Sequence, residues 1–115
     1  MNFYIINESE LRANFDGDED ILADLIEEFI KKYPLIMNDL QTSIEDKKFE
    51  SIKLHSHTLK GVVSNFFAES VRLKFYDIEQ AASKHLEADY KNMLNIASDE
   101  LEKLVEELKE LKSTL

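Results

Sequence analysis

A chain of 115 residues, 43% hydrophobic and 33% charged, is large enough for one packed core and too small for two. Its formal net charge of −10 excludes the basic surface that nucleic-acid binding needs and disfavours anionic membranes, while the absence of cysteine excludes disulfides and thiolate metal sites. Two glycines and one proline are too few turn residues for a many-stranded β fold, no apolar run can span a bilayer, and no charged-then-apolar leader opens the chain, so residues 1–115 read as a single cytoplasmic all-α domain.

Asn7 or Ser9 is placed to cap a short first helix carrying Leu11 and Phe15 and ending near Gly17. Asp18 opens a second helix with Leu22, Leu25, Ile26, Phe29 and Tyr33 on one stripe. Acidic residues fill its first turn and lysines follow, as the helix dipole prefers. Pro34 predicts a break or kink, with Leu35, Leu40 and Ile44 marking a continuation. Asp46 is the expected N-cap of a third long helix. A turn around residues 68–70 leads to Val71, Phe75, Ile78, Ala82 and Leu86, again at helical spacing. Asp89 starts the last helix, whose Leu94, Ala97, Leu101, Leu104, Leu108 and Leu111 form a heptad-type seam. The pattern predicts an antiparallel four-helix bundle with one or two short additional N-terminal helices.

The third helix carries the chemistry. Phe49, Ile52, Leu59, Val63 and Phe66 fall on one stripe at roughly 100° per residue, and His57 lies about 150° from its middle. Lys53, Lys60, Gly61 and Ser64 share the side of His57. An imidazole there is open to an approaching molecule and keeps a neutral, nucleophilic fraction at pH 7. Gly61 removes bulk one turn away, at about 1 kcal/mol relative to alanine inside a helix. Lys60 offers a cation to an arriving anion. Leu54 is far from the core stripe, where a lone leucine suits a docking rim.

Other titratable residues carry less. His55 is two residues from His57, and helix positions two apart diverge, so the pair cannot share a metal ion. His55 is expected to be packed and hydrogen-bonded at the edge of the core stripe, and His85 is read as structural. The consecutive carboxylates Glu27-Glu28 and Glu106-Glu107 diverge on their helices and read as solvated faces. No glycine-rich phosphate loop is present, so nothing marks an ATP site or a kinase.

The run His57-Thr58-Leu59-Lys60-Gly61 resembles the motif of the histidine-containing phosphotransfer (HPt) domain family: a histidine, two residues, then Lys-Gly. The likeness continues through Ser64-Asn65-Phe66-Phe67-Ala68, with one departure, because Phe67 stands where the family usually has glycine. A left-handed cap is costly for phenylalanine, so this helix is expected to run on or to turn without that cap. The resemblance implies that His57 accepts a phosphoryl group on Nε2 from a receiver-domain aspartyl phosphate and passes it to another receiver. In that role the chain is a phosphoryl carrier, not an enzyme with its own cofactor. It implies further that Lys60 stabilises phosphate oxygens, that Glu79 on the next helix holds the Nδ1 proton of His57, and that Lys53, Leu54, Gly61 and Ser64 line the docking surface. The implied partners are response-regulator receiver domains, which supply Mg²⁺, and a hybrid sensor histidine kinase, met by a monomer. The alternative reading is a non-catalytic module that docks a receiver or dimerises as a coiled coil through the seam from Leu94 to Leu111.

Overall fold

The computed structural model describes residues 3–115, which form five helices: α1 (Glu8–Phe15), α2 (Glu19–Glu45), α3 (Phe49–Ser64), α4 (Glu69–Ser83) and α5 (Tyr90–Lys112). Three of them start on side-chain caps. Asn7, Asp18 and Asp89 accept the N–H of Glu10, Ile21 and Asn92, so each satisfies a donor the first turn leaves free. Ser9 lies inside α1, leaving Asn7 as its cap.

Pro34 does not interrupt α2, which runs unbroken for 27 residues, about 40 Å. The exposed ring removes one helical hydrogen bond, and buried Leu22, Ile26, Phe29 and Leu40 anchor the helix on either side. An unbroken helix also corrects the expected stripe. Leu35 turns to solvent, and Ile36 and Met37 pack on the core in its place. Leu86 likewise lies exposed beyond the end of α4.

Asp46 does not cap α3. It ends α2, Lys47 follows in the left-handed region at φ 56°, and Lys48 takes the N-cap position without a side-chain bond. The Lys47 and Lys48 N–H groups donate to Ile44 and Ser43 carbonyls at 3.1 and 3.0 Å. This paired closure occupies the carbonyls that an ending helix leaves free, and it places Asp46 on the wrong side of the turn for capping.

Helices α2 to α5 close a ring in which α3 packs on α2 and α4, and α5 on α4 and α2. Short connections make neighbours antiparallel. Phe66, Phe75, Leu59, Leu101, Leu104 and Leu108 are fully buried along its axis. The whole seam from Leu94 to Leu111 faces this core. A coiled-coil dimer through that seam would require the bundle to open.

The segment before α1 straps one end of the bundle. The Glu107 carboxylate on α5 accepts the backbone N–H groups of Tyr4, Ile5 and Ile6, each at 3.0 Å, which corrects its reading as a solvated face, while Glu106 is exposed as expected. The Asn7 N–H then donates to the Phe67 carbonyl at 3.2 Å, tying the strap to the α3–α4 turn. In that turn Phe67 adopts φ 54°. The expectation that phenylalanine would avoid the left-handed region is therefore wrong. The turn needs that backbone sign, and Phe67 supplies it while its ring packs against the core.

Candidate functional site

His57 projects from the middle of α3 with 63% of its side chain exposed. Across the α3–α4 seam, Glu79 stands with 10% of its side chain exposed. Glu79 falls on the inward side of α4 beside Phe75, Ile78 and Ala82, so its carboxylate meets α3 instead of water. Its Oε2 lies 2.7 Å from His57 Nδ1. Its Oε1 lies 2.7 Å from the Lys60 ammonium, an ion pair without good hydrogen-bond angles, and among the described residues that oxygen has no other partner.

Burial opposes ionisation of Glu79, but Lys60 and His57 together outweigh it, and the carboxyl is held below its ordinary range. An ionised carboxylate can only accept, so Nδ1 carries the imidazole proton and donates it to Glu79. In the neutral ring the lone pair is then on Nε2, which has no hydrogen-bond partner among the described residues. The site presents one imidazole nitrogen to solvent, with the ring held at Nδ1 by Glu79.

The surrounding residues differ in how they meet this centre. Leu54, one turn before His57, is 59% exposed, and Lys53 is half-buried beside it. Gly61 is exposed, and a Cβ built there would meet nothing within 4 Å, so the chain's own packing does not demand glycine. Ser64 is exposed, but its hydroxyl donates to the Lys60 carbonyl at 2.7 Å. Lys60 itself is drawn in, with 21% of its side chain exposed, and is engaged with Glu79.

A family model for the Hpt domain matches residues 24–113. The chain belongs to the Hpt domain family. The match takes in α3, α4 and α5 and all of α2 from residue 24 onward, so the His57–Glu79 geometry lies wholly within it. Members of the family are phosphotransfer modules of phosphorelays, and they carry the phosphoryl group without a kinase site of their own. No curated protein and no solved structure matches the chain.

Two residues of this Hpt domain's site are absent from the sequence reading. The Tyr76 ring lies 5.5 Å from the Lys60 ammonium and 5.9 Å from the Arg72 guanidinium, measured to the ring centroid. A signal was available: Arg72, Tyr76 and Glu79 recur at steps of four and three and share one face of α4. The other histidines stand apart from the site. His55 is half-buried in the α2–α3 seam, as expected, but its ring has no hydrogen-bond partner among the described residues, which corrects that part of its reading. His85 stacks on Phe49 at 5.1 Å and approaches Glu50 at 3.2 Å. Among the described residues no helix is long and apolar enough to cross a membrane.

Proposed function

We propose that this Hpt domain is a phosphocarrier between receiver domains. His57 Nε2 attacks the phosphorus of an aspartyl phosphate, the N–P bond forms, and the P–O bond breaks with its electrons leaving on the aspartate. The imidazole becomes a phosphoimidazolium whose Nδ1–H stays on Glu79. The reverse attack by a second receiver's aspartate returns the ring to its neutral form. Such transfer depends on positioning and charge compensation more than on many catalytic groups.

The observation that carries this reading is the 2.7 Å contact between His57 Nδ1 and Glu79 Oε2 beside an otherwise open ring. A carboxylate at Nδ1 favours the cationic product and leaves Nε2 as the nucleophile. Lys60 begins on Glu79, and the arriving phosphoryl oxygens compete for its ammonium. The exposed surface of Leu54, Lys53, Gly61 and Ser64 receives the receiver's face, and the receiver brings Mg²⁺. The donor is a response regulator or the receiver of a hybrid sensor histidine kinase, met in the cytoplasm by a monomeric carrier.

The test mixes the protein with a panel of phosphorylated receivers and Mg²⁺, and follows acid-labile phosphate on this chain. His57→Gln runs in parallel. Transfer to the wild type and none to the variant is the expected result. No transfer from any receiver, with binding equal in both forms, would favour a docking scaffold instead.

A further inference from the structure

We propose that Tyr76 is a positioning residue of this site: its ring holds the Lys60 ammonium against Glu79, and thereby holds Glu79 on the Nδ1 proton of His57. The geometry follows from α4. Arg72, Tyr76 and Glu79 occupy consecutive turns of one face, and that face meets α3 at Lys60 and His57.

A lysine on an outer helix position ordinarily extends into water, because its flexible stem and strongly hydrated ammonium favour solvent. Lys60 instead keeps only 21% of its side chain exposed and reaches Glu79 at 2.7 Å. The Tyr76 ring, 5.5 Å from that ammonium, supplies an electron-rich surface beside the pair. Arg72 also borders the Tyr76 ring. Its guanidinium is fixed to Glu69 by two bonds at 2.8 and 2.6 Å and lies 5.9 Å from the same ring centroid.

Glu79 depends on this arrangement because few charges face it. Among the described residues, His57 and Lys60 reach it from α3, Tyr76 precedes it by one turn on α4, and no charged side chain of α5 contacts it. Losing the ring frees Lys60 to extend into water. Glu79 then keeps its burial and loses most of its counter-charge. Its hold on the imidazole weakens.

The consequence for transfer rests on the phosphocarrier reading; the geometric claim does not. The test compares wild type, Tyr76→Phe and Tyr76→Leu, recording the Glu79 side-chain carboxyl by ¹³C NMR across pH and the transfer rate from a phosphorylated receiver. Phenylalanine keeps the π face and should behave as wild type. Leucine should move the Glu79 titration upward toward the ordinary carboxylate range and slow transfer by about 2- to 10-fold. An unmoved Glu79 titration in Tyr76→Leu would overturn the proposal, even with slower transfer, because the ring would then be a docking contact. A wild-type protein that accepts no phosphoryl group would remove the carrier reading, while the titration would still decide the role of Tyr76.

Discussion

Glu79 combines near-burial with two groups that favour its ionised form, and this sets the pH behaviour of the site. Because the folded carboxyl titrates below its ordinary value of 4.5, ionised Glu79 stabilises the fold above that pH, and the contribution is lost as pH falls through the lowered value. Urea unfolding of wild type and Glu79→Gln should therefore differ most above about pH 5, and the gap should shrink on acidification. A gap that is constant with pH would show that Glu79 acts through packing alone. Phe67 offers a second test. A left-handed backbone costs a non-glycine residue roughly 1–2 kcal/mol, while its half-buried ring recovers part of that through packing. Phe67→Gly loses the ring and the strain together; Phe67→Ala loses only the ring. The glycine variant should be more stable than the alanine variant by about 1 kcal/mol in urea titration, the reverse of their order inside a helix. Helical spacing and a short motif mark His57 and Lys60, the family resemblance points to Glu79, and the structure brings the three side chains together. Spacing alone puts Tyr76 on the face of Glu79, but the approach of its ring to Lys60 on another helix is visible only once the two helices are paired.

At the scale of elements, scarcity of glycine lengthens the helices and also strains the turns. Asp16, Lys47, Phe67 and His85 all have positive φ, so each of the four helix connections contains a non-glycine residue in the left-handed region. Lys47 is the cleanest place to measure this, being exposed and followed by an extended N-cap. Lys47→Gly should stabilise the domain by about 1 kcal/mol in denaturant unfolding. No gain, or a loss, would mean that the lysine side chain or the unfolded-state entropy dominates. The same turn explains why Asp46 misled. Its side chain is chemically suited to an N-cap, but local propensity does not say which helix a residue between two helices belongs to. That is decided by the closure of Lys47 and Lys48 onto Ile44 and Ser43. Order, number and face of the long helices were legible because a 3.6-residue period runs through each with few interruptions. Leu35 and Leu86 were misplaced where an assumed break or an assumed extension shifted that period.

For the molecule as a whole, charge is the property that sequence states most directly and that the fold distributes unevenly. The chain carries a formal −10, yet Lys53 and Lys60 share the face of α3 that carries His57. Self-repulsion extends across much of the molecule at low ionic strength, where the Debye length of about 30 Å at 10 mM salt exceeds the two shorter of its 44 × 21 × 20 Å extents. The radius of gyration is 14.6 Å. Raising NaCl from about 10 mM to about 300 mM should increase Tm by a few degrees as that repulsion is screened. A Tm that falls with salt would mean that the surface ion pairs outweigh the net charge. The most direct test of the site is to phosphorylate the protein with a small donor, phosphoramidate, and to identify the product by ³¹P and ¹⁵N NMR. A single phosphohistidine is expected, at His57, with phosphorus on Nε2 and the proton retained on Nδ1 beside Glu79. Phosphate on Nδ1 of His57, or on His55 or His85 in preference to it, would contradict it.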